Sequence, residues 1–223
     1  MKKLLILSSV LVFVFGIAGS VGAVNITFEH ELSSDGTLTS TYSWATVETF
    51  DVLPLAWSWT GSGQIVSGSA SGKYAAPFNS DLMSSADGTS YVTVPDPDGA
   101  SSGWYKADLG GTYNYFGIFW GSVDNYNTLL FYKGGSQVAI YTGTDITTPN
   151  AANGNQSAPS TNLYVNFFNL PDFDSFIMSS SQFAFEADNI AVGVNPVPEP
   201  ATMLLFGSGL LGLAGLRKRF LKK

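Results

Sequence analysis

The chain has 223 residues, of which 45% are hydrophobic, and 17 acidic against 10 basic side chains give it a formal net charge of −7. It contains no cysteine and a single histidine, His30, which excludes disulfide cross-links, Cys–His catalysis and multi-histidine metal sites. Residues 24–196 contain three Lys, no Arg and sixteen acidic residues, so this body has a net charge of −13. Such a surface repels nucleic acid and anionic lipid, and we expect neither as its partner.

The N-terminal residues 1–23 have the pattern of a signal peptide. Lys2 and Lys3 precede the apolar stretch 4–18, and small residues lead up to Ala23. A basic start, an apolar segment and a small-residue cleavage site together predict export, with cleavage after Ala23.

Residues 24–194 are predicted to form one all-β domain, an antiparallel β-sandwich. Short runs rich in Val, Ile, Thr and aromatic residues alternate with clusters of Gly, Ser, Asn, Asp and Pro, and no long helical period is present. The predicted strands are 24–29, 38–44, 52–59, 91–94, 103–109, 113–120, 128–133, 137–142, 163–168, 175–179, 182–187 and 190–194. The loop-like composition of residues 147–161 predicts a long surface loop.

Two local irregularities of the body are also predicted. Gly134 and Gly135 stand between two strand-like runs and indicate a hairpin. Apolar residues occupy odd positions at Phe185 and before it, but even positions from Ile190 onwards. This change of parity predicts a β-bulge near residues 187–189, and bulges often lie next to functional sites.

The C-terminal part begins with a proline-rich linker, residues 195–200, that contains Val197, Pro198, Glu199 and Pro200. An apolar run of 16 residues follows, which spans about 24 Å as a helix. Arg217, Lys218 and Arg219 then form a basic cluster. Residues 201–223 are therefore predicted to be a single transmembrane helix with a basic cytoplasmic end.

The Pro198-Glu199-Pro200 motif, the apolar helix and the basic end, in this order, resemble the PEP-CTERM sorting signal. That resemblance implies recognition and cleavage by exosortase, a membrane-embedded protease. An ordinary membrane anchor behind a proline-rich linker is the alternative. The segments 115–128 and 183–193 of the body are similar to exosortase-dependent bacterial surface proteins, which implies a jelly-roll-like sandwich. That family has no established activity to transfer.

A calcium site is one candidate function of the body. Ca²⁺ prefers carboxylate, carbonyl and amide oxygens. Glu29 in the first strand, with Glu186, Asp188 and Asn189 near the last strand, would supply such ligands if these two strands pair. Turn-forming Asp and Asn residues without an ion are the simpler interpretation.

A glycan site is a second candidate. The segment containing Trp120, Asp124, Asn125 and Tyr126 combines aromatic rings, an acid and an amide at the end of a predicted strand. Trp and Tyr rings stack on sugars, although aromatic residues of a β-sandwich more often belong to its core. Trp104 and Tyr105 are further aromatic candidates.

Catalysis is not expected. A Ser-His-Asp triad would have to use His30, and no nucleophile-elbow motif supports it. Paired carboxylates chosen from Glu29, Glu48, Asp124, Glu186 and Asp188 would suit a glycosidase, but no signature surrounds any of them.

The sequence therefore predicts an exported, non-enzymatic structural or adhesive protein of a Gram-negative-type bacterium. We expect an inner-membrane intermediate that exosortase processes, followed by residence at the cell surface or in the exopolysaccharide matrix of a biofilm. A calcium-assisted, lectin-like carbohydrate-binding module is the alternative, and a glycan-active enzyme is a third hypothesis.

Overall fold

The computed structural model describes residues 23–146 and 152–195. In this part of the chain two antiparallel sheets form a sandwich, which confirms the all-β prediction. Residues 1–22 of the predicted signal peptide, the sorting motif and the predicted transmembrane helix lie outside the described residues. Within the described ranges, no helix combines the length and apolar character needed to cross a membrane.

The strands follow one another in short, mostly antiparallel segments, as the frequent turn residues predict. Their bounds are β1 Asn25–Thr27, β2 Glu31–Leu32, β3 Leu38–Thr39, β4 Thr46–Glu48, β5 Ser58–Gly61, β6 Gln64–Ser67, β7 Ser90–Val94, β8 Gly103–Tyr113, β9 Tyr115–Gly121, β10 Asn127–Lys133, β11 Ser136–Thr142, β12 Leu163–Phe168, β13 Phe173–Ser180 and β14 Phe185–Gly193. A single-turn helix, α1, spans Gly143–Ile146.

The larger sheet has the strand order β1-β12-β9-β14-β7-β6, with β4 also paired to β14. The smaller sheet has the order β11-β10-β13-β8-β5, and β2 and β3 form a separate pair. Neighbouring strands in both main sheets are antiparallel, and most of them are distant in sequence. The centre of the large sheet is therefore built from strands of the second half of the chain.

The hydrophobic core lies between the two main sheets. Alternate residues of β9, namely Phe116, Ile118 and Trp120, point into it from the large sheet, as the two-residue period of a strand requires. Phe131 and Phe176 of the small sheet face them, with ring centroids 5.0 and 4.8 Å from that of Phe116. Such edge-to-face contacts let aromatic rings fill the interior densely without disulfides.

The outer face of the large sheet is also covered. Every residue of β9 and β14 is buried, including those that point away from the core. Phe119 and Tyr164 on this outer face pack with Leu38 of β3 and with Met83, which lies in the long connection between β6 and β7. Polar side chains on the outer face of β14 are consequently removed from water, and this burial determines the character of the site described below.

Both predicted irregularities are confirmed. The β10–β11 hairpin turns at Gly134 and Gly135, whose φ angles of 55° and 80° are the positive values that a two-residue hairpin turn requires. The pairing of β14 with β9 shifts register between Asp188 and Ala191, and Asn189 has a φ of 46°. The bulge keeps both Phe185 and Ile190 in the core although their parity differs.

Some strand predictions were too long. The predicted strand 38–44 is reduced to β3, because residues 42–45 form a turn, and the predicted strand 52–59 begins only at Ser58. The strands β2, β4 and β6 were not predicted. The predicted loop 147–161 contains no named strand in its described part, residues 152–161; the rest lies outside the described ranges.

Candidate functional site

A polar pocket of about 140 Å³ lies at one end of the sandwich, beside the start of β14. Three segments enclose it with β14: residues 72–74, the turn 122–126 that follows β9, and residues 154–156. We call it the acidic pocket, because the carboxyl groups of Asp124 and Glu186 belong to its lining. Its other lining residues are Gly72, Lys73, Tyr74, Ser122, Tyr126, Gly154, Gln156, Phe183 and Ala184.

Glu186 is buried, with 3% of its surface exposed, because it is the second residue of β14 and points to the covered outer face. Its Oε1 accepts a hydrogen bond of 2.9 Å from the backbone N–H of Ala75. Its Oε2 has no hydrogen-bond partner among the described residues. Burial raises the pKa of Glu186 to about 8, and the nearby charge of Asp124 contributes to the same shift.

Asp124 lies in the turn after β9, where it forms an isolated β-bridge with Asn153. Gly154 lies directly against its carboxylate, so a Cβ at that position would collide with both carboxylate oxygens. Burial raises the pKa of Asp124. Two segments that are far apart in sequence are thus joined around this acid.

Two further polar groups face the same pocket. Ser122, which has a φ of 46°, is buried, and its Oγ has no hydrogen-bond partner among the described residues. The hydroxyl of Tyr126 donates a 2.9 Å hydrogen bond to the backbone oxygen of Phe183. Burial and then the neighbouring Asp124 raise the pKa of Tyr126, so its hydroxyl stays protonated at physiological pH.

Lys73 lines the acidic pocket but does not neutralise it. Its ammonium group donates to the backbone oxygen of Pro97 and lies 4.7 Å from the centroid of the Phe183 ring. The ion pairs found in the described ranges are Lys106–Asp108 and Lys133–Asp174, both away from this pocket. The two pocket carboxyl groups therefore have no ion-pair partner among residues 23–146 and 152–195.

A second buried acidic pair lies on the same face of β14. Asp188 contacts Asp87, which also accepts hydrogen bonds from the N–H and the hydroxyl of Thr89 at 2.8 and 2.6 Å. Burial raises the pKa of both Asp87 and Asp188. Asp87 Oδ2 and Asp188 Oδ1 have no hydrogen-bond partner among the described residues, and the burial and mutual contact of the two carboxyl groups favour one proton on the pair.

The predicted four-residue calcium site does not form. The first and last strands do not pair, because β12 and β9 lie between β1 and β14, about 14 Å apart at normal strand spacing. Glu29 is exposed and accepts a hydrogen bond from the Tyr42 hydroxyl. The side-chain amide of Asn189 donates instead to Thr37 Oγ1 and to the backbone oxygen of Leu38. Of the predicted ligands, only Glu186 and Asp188 share a face.

The predicted glycan site is divided between two places. Trp120 is fully buried and stacks on Phe185, with ring centroids 4.3 Å apart, so its ring cannot contact a sugar and that part of the prediction is wrong. Asp124 belongs to the acidic pocket. Asn125 and Tyr126 line an adjacent open cleft of about 720 Å³, and Tyr126 borders both cavities.

The exposed indole of this cleft belongs to Trp104, which is 48% exposed. The other lining residues are mostly small and hydroxylated: Ser62, Ser102, Gly103, Thr128, Ser179, Ser180 and Ser181. The exposure of Trp104 could have been predicted from the alternation along β8. Trp104 shares the polar face of this strand with Lys106 and Asp108, while Ala107 and Leu109 point into the core. The fold thus defines a β-sandwich with one buried acidic pocket and one open polar cleft.

Comparison with known proteins identifies the tail. Residues 196–219 match the family model described as the PEP-CTERM protein-sorting motif. These residues therefore carry a PEP-CTERM protein-sorting motif, as the sequence predicted, and the motif implies export and processing by exosortase. The matched residues include Val197, Pro198, Glu199 and Pro200 and the basic cluster Arg217, Lys218 and Arg219, all outside the described residues.

The comparisons give little information on the body. No curated protein matches the chain. One solved structure, the K2 cleaved adhesin domain of Lys-gingipain, is 14% identical over 69% of this chain and 100% of its own, with a TM-score of 0.29. A likeness at that TM-score carries no argument about binding or activity.

Proposed function

We propose that this protein is a structural or adhesive component of the bacterial cell surface or biofilm matrix, delivered there by exosortase and without catalytic activity. The observation that carries the proposal is the PEP-CTERM sorting motif at residues 196–219, which follows a β-sandwich body. In this proposal residues 1–23 are a signal peptide cleaved after Ala23. Residues 201–223 hold an inner-membrane intermediate of a Gram-negative-type bacterium, and the body is a jelly-roll-like sandwich.

The shape of the acidic pocket supports a role without catalysis. A glycosidase needs two carboxyl groups on either side of a bound sugar linkage. The cavity that holds Asp124 and Glu186 measures about 140 Å³, the volume of roughly five water molecules at about 30 Å³ each. That space suits an ion with its water ligands better than a glycosidic bond with a sugar on each side.

The sorting proposal predicts the fate of a motif variant. Replacing Pro198, Glu199 and Pro200 together with alanine should leave a longer form of the protein in the membrane fraction, because exosortase would no longer recognise the motif. Cell fractionation and intact-mass measurement give the result. A milder variant of the motif is Glu199→Gln. Its matched control is Glu31→Gln, which makes the same substitution at an exposed acid in β2. Identical mass and location for the alanine variant and the unchanged protein would contradict the proposal.

A second candidate function is carbohydrate binding at the open cleft. The specific observation in its favour is the exposed ring of Trp104 beside Asn125, Tyr126 and a row of serine residues. An exposed ring offers its face to a sugar, while amide and hydroxyl groups bond to the sugar hydroxyls. The body charge of −13 favours neutral rather than acidic polysaccharides.

Removal of that ring should weaken glycan binding. We expect Trp104→Ala to lower affinity for a neutral polysaccharide about 5-fold, since a lost stacking contact is worth about 1 kcal/mol. Glycan-array screening followed by titration calorimetry measures the change. Phe28→Ala removes another exposed aromatic ring, which is absent from the cleft lining, and should have no effect. Absence of glycan binding, or equal binding by Trp104→Ala and the unchanged protein, would reject carbohydrate binding at this cleft. The structural or adhesive role would then be the remaining proposal.

A further inference from the structure

We propose that the acidic pocket binds a calcium ion through the carboxylates of Asp124 and Glu186 and the hydroxyl of Ser122. This site differs from the one predicted between the first and last strands, and it does not depend on the proposed sorting or on glycan binding. Its ligands come from the turn after β9 and from the start of β14.

The first argument is the presence of oxygen atoms without partners. Glu186 and Ser122 are each only 3% exposed, and their atoms Glu186 Oε2 and Ser122 Oγ are buried. Neither atom has a hydrogen-bond partner among the described residues. Buried polar atoms are rarely left unsatisfied, because each one costs about 1–3 kcal/mol. Both residues line the same small cavity, so a single bound group can satisfy both atoms.

The second argument is the unbalanced charge. Asp124 and Glu186 lie close enough for the charge of one to act on the other, and no Lys or Arg of the described ranges pairs with either. The nearby ammonium of Lys73 is committed to Pro97 and to the ring of Phe183. Two buried carboxylates need a cation or a proton as compensation, and a divalent cation compensates both at once.

The third argument concerns the kind of ion. Within residues 23–146 and 152–195, no group of three or more His, Cys, Asp or Glu side chains could hold a metal ion, so the two carboxylates of the pocket would need hydroxyl groups and waters to complete the ligand set. The pocket offers two carboxylates, a hydroxyl and space for several waters, which are all hard oxygen ligands. Ca²⁺ accepts six to eight such ligands in irregular geometry, whereas Mg²⁺ requires a nearly ideal octahedron. This irregular mixture of ligands favours Ca²⁺.

The location also gives the ion a structural effect. Asp124 is bridged to Asn153, and Gly154 packs against its carboxylate, so an ion on Asp124 and Glu186 connects β14 to two separate loops. Tyr126 borders both this pocket and the open cleft. An ion in the pocket would therefore also fix one wall of the cleft.

The test uses the full chain, purified in mild detergent and stripped with EDTA. At pH 8, calorimetric titration should show a calcium site with a Kd of about 10⁻⁴ to 10⁻³ M, as in other extracellular modules, and clearly weaker binding of Mg²⁺. Tb³⁺ should bind at the same site with luminescence sensitised by Tyr126, and Ca²⁺ should displace it. Added Ca²⁺ should also raise the Tm.

Variants assign the site to these residues. Glu186→Gln and Asp124→Asn each keep the side-chain shape and should weaken calcium binding at least about 10-fold, and Ser122→Ala should weaken it less. Glu31→Gln and Asp98→Asn replace exposed acids outside the pocket and should bind as the unchanged protein does. Circular dichroism confirms folding, and the calcium-dependent rise in Tm tests the proposal without any variant.

Several results would overturn the proposal. One is a failure of Ca²⁺ both to bind and to raise the Tm of the unchanged protein at pH 8. Another is unaltered calcium affinity in folded Glu186→Gln and Asp124→Asn proteins, which would assign the binding to the acidic surface. Equal affinity for Mg²⁺ would reject the choice of calcium. Neither sorting nor glycan binding by the cleft requires the ion, so the proposals fail independently.

Discussion

Replacing Trp120 with alanine should destabilise the protein by about 3–5 kcal/mol. Trp120 is fully buried, points from β9 into the core between the sheets, and lies parallel to the Phe185 ring at an interplanar angle of 9°. Truncation removes this stacking contact and leaves a cavity that neighbours in two sheets cannot fill without moving. For a chain of this size the loss corresponds to a fall in Tm of about 6–20 °C.

Thermal unfolding of the full chain, followed by circular dichroism, measures this loss. Trp104→Ala is the matched control, because the exposed ring of Trp104 contributes little to the core, and its Tm should change by no more than about 2 °C. Trp120→Phe should be milder than Trp120→Ala, since it keeps an aromatic ring and removes an indole N–H that has no acceptor among the described residues. Equal effects of Trp120→Ala and Trp104→Ala would contradict the placement of Trp120 in the core.

The features that the sequence predicted correctly are local ones. The hairpin at Gly134 and Gly135 depends on two adjacent residues that adopt positive φ, and the sequence contains that information directly. The bulge near Asp188 followed from the parity of Phe185 and Ile190, because a two-residue period cannot place both in the core without an extra residue.

Pairing between distant strands was not predictable in the same way. The calcium hypothesis required Glu29 to meet Glu186, which needed β1 next to β14, but β1 pairs with β12. Alternation along a strand fixes which residues share a face and says nothing about which strand lies alongside. The pocket pair of Asp124 and Glu186 likewise depends on β9 lying beside β14, a pairing of distant segments.

The covered outer face was the other missing element. In sequence, Glu186 and Asp188 alternate with Phe185 and Ala187, a pattern typical of a strand with one face in water. The structure buries both acids because irregular segments, including the one with Ala75 and Met83, pack over them. Such segments have no period, so the sequence did not predict what they cover, and surface acids and buried acids looked the same.

Burial of these acids predicts that the calcium-free protein loses stability as the pH rises. Burial raises the pKa of Glu186 from 4.5 to about 8, with Asp124 adding to the shift. It also raises the pKa of Asp188 well above 3.8, with Asp87 as the next cause. At pH values between the pKa of each acid in the unfolded chain and its raised pKa in the folded protein, the folded protein holds protons that the unfolded chain has released. The free energy of unfolding therefore falls with pH, by up to about 1.4 kcal/mol per pH unit for each such proton.

Urea unfolding of the full chain in EDTA, at pH values from 5 to 8, should show this decline. The stability from Glu186 is fully present below about pH 4.5 and is lost as the pH approaches 8. Glu186→Gln cannot ionise at this position, so its free energy of unfolding should fall less steeply with pH, by the contribution of about one proton. Asp188→Asn should likewise lack the contribution of Asp188 to this slope. Glu31→Gln, which changes an exposed acid, should follow the unchanged protein.

Stability that stays constant or rises over this interval in EDTA would show that the folded protein does not hold these protons. Equal slopes for the unchanged protein, Glu186→Gln and Asp188→Asn would assign the pH dependence to other groups. Calcium separates the two acidic pairs, since an ion in the acidic pocket replaces the proton on Glu186 and leaves Asp87 and Asp188 to share theirs. Saturating Ca²⁺ should thus remove the contribution of Glu186 to the slope and retain that of Asp188.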